Sequence, residues 1–177
     1  MIEATNESKT FEPAPAGNHV AICFSMIHIG RVKESFKGEE KELDKVILQA
    51  TQPFLGICLG MQLMCSYSEE NNTSCLGLFK ENVRLFKSSD PLVKVPQIGW
   101  NNIANLKTNL FKDVPEASHC YFVHSYFADA GEHTIATTDY CLPYSAALHR
   151  DNFYGVQFHP EKSAMVGEKI IQNFINI

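Results

Sequence analysis

Residues 54–64 read "FLGICLGMQLM" and set Cys58 between Gly56 and Gly60, where an apolar run meets a helix-compatible segment. Phe54 to Ile57 suits a short buried strand, and the residues after Cys58 are mostly strong helix formers. A G-x-C-x-G junction between strand and helix is the cysteine form of a nucleophile elbow. Neither glycine carries a Cβ, so both are expected to let the arms of the turn approach closely. The turn lifts the Cys58 thiol beside the first helical N–H groups, which favour thiolate. The amide of Leu59 is then placed to donate to a developing oxyanion. Small residues also surround buried thiols where backbones merely pack closely, so the elbow needs a base from elsewhere in the chain.

The stretch Tyr154–Ser163, "YGVQFHPEKS", supplies one. His159 follows an apolar strand, and Pro160 restricts it to extended conformations. In an extended arm, residues two apart point the same way. Glu161 is therefore expected to orient the imidazole while the opposite ring nitrogen faces Cys58. Thiol, base and orienting carboxylate are the layout of covalent acyl transfer, with peptide, ester and primary amide all open as substrates. Gln62, one helical turn beyond Cys58, presents an amide toward the same mouth and suits an amino-acid headgroup. "VHSY", Val123–Tyr126, offers further polar groups from His124, Ser125 and Tyr126 at another strand end.

Composition narrows the class. The 177 residues are 45% hydrophobic and 20% charged, as in a soluble globular chain with one continuous core. A formal net charge of -5 without a basic stripe disfavours nucleic acid as a partner. No apolar run approaches membrane-spanning length and no basic leader precedes one, so no membrane is expected and a cytoplasmic setting is. The six cysteines are irregularly spaced and lack a CxxC pair, which fits reduced core thiols. Cys120 and His124 have no obvious second pair, so no metal site is expected. Thiol, base and acid suffice for amide hydrolysis without a cofactor.

Around the elbow the pattern alternates strands and helices. "HVAICFSMIHIG" ending at Gly30 reads as a strand, and residues 31–50 read as a helix with Leu43, Val46, Ile47 and Ala50 on one face. Short strands follow through residues 75–158, with a hairpin turn at Asp151–Asn152. Residues 164–177 close the chain as an amphipathic helix whose apolar side holds Val166, Ile170, Ile171, Phe174 and Ile175. This order predicts an α/β fold: a mostly parallel sheet between helices, with an antiparallel edge region.

Five segments carry a resemblance: "GICLGMQLM" (56–64), "CLGLF" (75–79), "KVPQIGWNNI" (94–103), "YFVHSYF" (121–127) and "YGVQFHPEKS" (154–163). In that order they resemble the class I glutamine amidotransferases. "PQIGWN" with "YFVHSY" is similar to the branch of glutaminase subunits of imidazole glycerol phosphate synthase. The resemblance runs from about Glu42 to Ile177. It implies the three-layer fold of that class and attack by Cys58 on the γ-amide of L-glutamine, with His159 and Glu161 completing the triad. It further implies substrate contacts from Gln62, Ser125 and Tyr126. Pro96, Gln97, Ile98, Gly99, Trp100 and Asn101 are implied as the face that meets a cyclase partner, a (β/α)8 barrel receiving the ammonia.

The opening differs from the family. Members begin with a strand leading to D-Y-G-x-G-N and carry a P-G-V-G segment that supplies the second part of the oxyanion site. "FEPAPAGNHVAICFSMIHIG" (11–30) matches neither, and "ELDKVILQATQPFLG" (42–56) resumes the family pattern. Residues 1–35 are thus expected to form an atypical segment, with 19–27 a surrogate edge strand. Residues 36–177 are expected to form the amidotransferase domain, its sheet incomplete on the N-terminal side. Two other readings stay open: a subunit that docks without catalysing, and a cysteine hydrolase acting on peptides.

Overall fold

The computed structural model describes residues 33–36, 39–89 and 93–177. The strand expected at residues 19–30 lies outside the described residues. In chain order the first elements are β1 (Lys33–Phe36), β2 (Glu39–Glu42), α1 (Leu43–Leu48), β3 (Phe54–Ile57) and α2 (Leu59–Met64). Next come β4 (Tyr67–Ser68), β5 (Thr73–Ser74), β6 (Asn82–Leu85), β7 (Gln97–Asn102) and β8 (His119–His124). The last are β9 (Tyr126–Ala128), β10 (Thr134–Asp139), β11 (Pro143–Arg150), β12 (Phe153–Val156) and α3 (Ala164–Ile175).

The helix expected over 31–50 is realised only at α1. Ahead of it β1 and β2 pair antiparallel, Lys33 opposite Glu42 and Phe36 opposite Glu39.

The main sheet runs β3-β12-β11-β9-β6-β4-β5, with β10 also paired to β11. It is mixed rather than mostly parallel: among the described residues the parallel pairs are β3 with β12 and β4 with β6. The reason is connection length. β10, β11 and β12 follow one another through short links, which return the chain antiparallel, whereas a parallel pair needs a long crossover. The turn from β11 to β12 falls where expected, with Asp151 at φ 53°.

β12 shows how the layers form. Phe153 packs with Met61, Met64 and Leu148 on the α2 side. Tyr154 and Val156 join the opposite cluster with Phe122, Phe158 and Ile170, and the Tyr154 and Phe174 rings lie 5.9 Å apart. Alternation with period two thus sends successive residues to α2 and to α3. On α3, Ile170 is buried, and Val166 and Phe174 pack against it as partly buried residues. Ile175, expected on that face, is 46% exposed, whereas Gly167 and Asn173 are buried. The Asn173 amide explains its place by donating to the Leu110 and Lys112 carbonyls at 3.0 and 2.7 Å. β7 and β8 form a separate two-stranded ribbon. No helix among the described residues is long and apolar enough to cross a membrane.

Helix α3 seats itself on the segment that carries His159. A Cβ at Gly167 would lie 1.9 Å from the Pro160 carbonyl oxygen, a contact with backbone that no rotamer relieves. Gly167→Ala should therefore destabilise the chain by about 3 kcal/mol, the upper range for overpacking. Thermal unfolding is the check, with an expected fall in Tm of roughly 6–12 °C.

Candidate active site

Cys58 occupies a backbone conformation that residues with a Cβ rarely adopt, φ 52° and ψ -107°, directly before α2. Two contacts hold it there. Its amide donates to Val156 O at 2.8 Å, carrying the β3–β12 pairing one residue past the strand, and its carbonyl accepts the Gln62 N–H at 3.2 Å. Gly56 is the residue that makes the turn possible: a Cβ there would lie 2.7 Å from the Gly60 backbone and 2.5 Å from Met64 Cε. Gly60 plays a different part from the one expected, because a Cβ at Gly60 would meet open space.

The sulfur lies where three strand ends converge. Its S–H donates to Val123 O of β8 at 3.8 Å, and the Gln157 amide donates to it at 3.6 Å from the chain beyond β12. Ile57 and Val156 are register partners, so Cys58 stands opposite Gln157 and two residues before His159.

His159 is fixed mainly through its backbone. Its amide donates to Tyr121 O at 2.8 Å, and its carbonyl accepts the Ser163 hydroxyl at 2.6 Å. Ser163 Oγ in turn accepts the Tyr121 amide at 2.9 Å. The half-buried imidazole then places Nδ1 2.7 Å from Glu161 Oε1. A carboxylate only accepts, so Nδ1 carries the proton and Nε2 is left as the basic nitrogen. Among the described residues the thiol and the imidazole are not hydrogen-bonded to each other: the resting S–H is given to Val123.

Burial pushes the Cys58 thiol above its ordinary pKa. The Leu59 amide opposes this, the Glu161 carboxylate adds to it, the Gln157 amide opposes it, and Glu70 adds a smaller push upward. The expectation of a thiolate stabilised by the helix is thereby corrected. The helix has only six residues and its field is small beside the desolvation of the sulfur. The Leu59 N–H does lie close enough to the sulfur to oppose the upward push of burial.

The other expected residues divide. Gln62 is buried, and its amide nitrogen donates to Tyr126 O at 2.8 Å and Gln157 Oε1 at 2.9 Å, leaving only its oxygen for a ligand. Tyr126 O also accepts His124 Nδ1 at 2.7 Å, and Ser125 O accepts the Phe86 amide at 3.0 Å. Both carbonyls are thus occupied, and both residues are partly exposed. Burial pushes His124 down to about 4, so it is neutral at pH 7. In the strip 96–101, Pro96, Ile98 and Trp100 are exposed, Ile98 by 63% and Trp100 by 54%. Gln97 is buried at 3%, against its expected place on the contact face, because alternation along β7 turns it inward. Gly99 (φ 133°) and Asn101, whose amide donates to Asp139 O at 2.8 Å, are partly buried.

Two residues escaped the reading of the sequence. Gln157 was visible as a lone polar residue within an apolar strand, a pattern that marks a buried polar role. Glu70 lies in a small cleft with Leu59, Gln62, Ser68, Thr73 and Cys75. Nothing separated it from the polar run "SEENN" (68–72) around it.

The elbow cysteine and the ordered His–Glu pair sit at neighbouring strand ends, the arrangement expected of a cysteine-dependent amidohydrolase. The chain belongs to the class I glutamine amidotransferases, whose family model matches residues 29–177. It is 52% identical over 139 residues to imidazole glycerol phosphate synthase subunit HisH of Bacteroides fragilis, covering 78% of this chain and 71% of that one. To the protein of the same name in Vibrio parahaemolyticus it is 42% identical over 157 residues, covering 84% and 76%. Among solved structures, a GMP synthase chain from Thermoplasma acidophilum shares the fold, with a TM-score of 0.58 at 22% identity. That match covers 76% of this chain, which spans only 61% of the other's length.

The electrostatics predict a sign that activity alone would not reveal. Iodoacetamide labelling of Cys58, followed by peptide mass spectrometry against pH, should give a midpoint above that of an ordinary thiol. Glu161→Gln removes a charge that raises the thiol, so the midpoint should move down even as the imidazole loses its orienting partner.

Proposed function

We propose that this chain is the glutaminase subunit of an imidazole glycerol phosphate synthase, with residues 36–177 as its catalytic domain. It acts as a heterodimer with a cyclase subunit of (β/α)8 form in the cytoplasm. The observation that carries this reading is Cys58 on its strained elbow, at the strand end next to the one that presents the ordered His159–Glu161 pair.

Glutamine enters the cleft along α2 with its side-chain amide over the sulfur. Glu70 pairs with the substrate α-ammonium, while Gln62 Oε1 and the Ser125 and Tyr126 side chains complete the headgroup site. For reaction the thiol leaves Val123 O and passes its proton to His159 Nε2. The sulfur attacks the amide carbon, and the Leu59 amide donates to the new oxyanion. His159 returns the proton to the departing nitrogen, ammonia leaves, and a glutamyl thioester remains. Water attacks the thioester as His159 takes its proton, and glutamate is released with the thiol restored. The ammonia passes to the cyclase, which forms imidazole glycerol phosphate and aminoimidazole carboxamide ribotide in histidine biosynthesis. Neither a metal nor an organic cofactor takes part.

The exposed face of β7 is the docking surface. Ile98 and Trp100 form an apolar pair, and Lys162 lies 6.0 Å from the Tyr121 ring that Trp100 meets edge-on. A second reading, a subunit that docks without catalysing, draws on the resting thiol being bonded to Val123 rather than His159.

The deciding experiment is glutamate release by the complex with its cyclase. Cys58→Ala should lower it by at least about 10³-fold with cyclase binding intact. An electrophilic glutamine analogue should add its mass to Cys58. Release that survives Cys58→Ala overturns the mechanism; binding without any Cys58 adduct selects the non-catalytic reading. Trp100→Ala should weaken cyclase binding by about 2 kcal/mol, the size of an interfacial hot spot, with no change in the Tm of the free chain.

A further inference from the structure

Five buried polar side chains connect β7 to the nucleophile. Gln97, Tyr144, His124, Gln62 and Gln157 are each between 0% and 7% exposed. The Tyr144 hydroxyl oxygen lies 2.7 Å from the Gln97 side-chain amide and 3.1 Å from His124 Nε2. His124 Nδ1 faces Tyr126 O at 2.7 Å, and that carbonyl also accepts the Gln62 amide at 2.8 Å. Gln62 donates its other N–H to Gln157 Oε1 at 2.9 Å, and Gln157 donates to Cys58 Sγ at 3.6 Å. Apolar side chains at these positions would fill the same space without desolvating amides, a phenol and an imidazole.

The polarity of the chain follows from its carbonyl. Tyr126 O accepts only, so the neutral imidazole must carry its proton on Nδ1; Nε2 then takes the single Tyr144 proton, and the phenol oxygen accepts from the Gln97 side-chain amide nitrogen. Gln62 commits both N–H bonds to acceptors, which obliges Gln157 to turn its oxygen toward Gln62 and its nitrogen toward the sulfur. Reversed, the Gln157 amide would set an oxygen against Cys58. The near end therefore keeps a donor on the nucleophile, and the far end lies on the inner side of the strand whose outer side exposes Ile98 and Trp100. A second contact joins the same ribbon to the sulfur: Val123, which accepts the S–H, is the register partner of Ile98, and Gln97 is the partner of His124.

Resting on the proposed glutaminase reading, we infer that the buried chain from Gln97 to Cys58 is a positioning relay. It ties the docking ribbon to the nucleophile by holding the Gln157 amide donor on the sulfur. Gln157 touches the reacting atom, and Gln62, His124, Tyr144 and Gln97 are positioning residues that act through it. Tyr144→Phe leaves His124 Nε2 facing no hydroxyl, and Gln97→Met leaves the hydroxyl unheld. Either change frees the imidazole, and with it the clamp on Gln62 and Gln157.

The test is the pH profile of Cys58 labelling by iodoacetamide in the full-length chain, read on the Cys58 peptide. The other ionisable groups facing the thiol, Glu161 with its partner His159 and Glu70 across the cleft, stay in place in every variant. Gln157→Met should raise the midpoint, slowing labelling at pH 7 by about tenfold per unit of rise. Tyr144→Phe, remote from the sulfur, should raise it by less. The double variant should match Gln157→Met alone, because the far end acts only through Gln157. Gln97→Met should behave like Tyr144→Phe and decides the matter if the phenylalanine variant fails to fold. An unmoved midpoint in the far-end variants, or shifts that add in the double variant, overturns the relay. Labelling does not depend on turnover. A complex that releases no glutamate while the shifts appear therefore refutes the glutaminase reading and leaves the relay standing.

Discussion

The site depends on one parallel pairing, Phe54–Ile57 against Phe153–Val156, between strands almost a hundred residues apart. Every other requirement of the site follows from it. The Cys58 amide continues the pairing onto Val156, which sets the elbow at the height of Gln157 and puts the imidazole two residues further along. Side chains of β12 then pack α2 on one face and α3 on the other. A slip of one residue would exchange those faces and carry Gln157 away from the sulfur.

Around that pairing the chain gives up stability for function. Cys58 is held in a strained backbone conformation, and its sulfur is buried where ionisation is disfavoured. Both features keep the sulfur in its protonated, hydrogen-bonded form. A thiol bonded to a backbone carbonyl is quiet toward solvent electrophiles. The polar interior that reaches the β7–β8 ribbon follows the same logic. A buried network of this kind specifies one arrangement of the strand ends, and it does so in place of the apolar burial that could have filled the same space.

Local sequence was enough for the elbow, the His-Pro-Glu arm, the turn at Asp151 and the closing helix. In each the information lies within a few residues: glycine where a Cβ would collide, proline restricting the preceding residue, period two in strands and 3.6 in helices. The motif spacing likewise sufficed for the family. Even the inward turn of Gln97 was implicit in the alternation Gln97–Ile98–Gly99–Trp100, although the motif as a whole had suggested a surface.

Tertiary structure alone decided the rest, because those features depend on neighbours distant along the chain. Mixed pairing of the sheet depended on which short strands found one another, and the exposure of Ile175 on how far α3 extends past its contacts. The acidity of Cys58 was set by burial beneath β8 and β12 rather than by the six-residue helix beside it. The commitment of Gln62 to Tyr126 and Gln157, 64 and 95 residues away, could not be read from a helical position. Glu70 lines the cleft beside Leu59 and Gln62 only through the fold of its segment. Sequence carries the chemistry that a residue can perform; long-range packing, through desolvation and the choice of hydrogen-bond partner, selects which of it is performed.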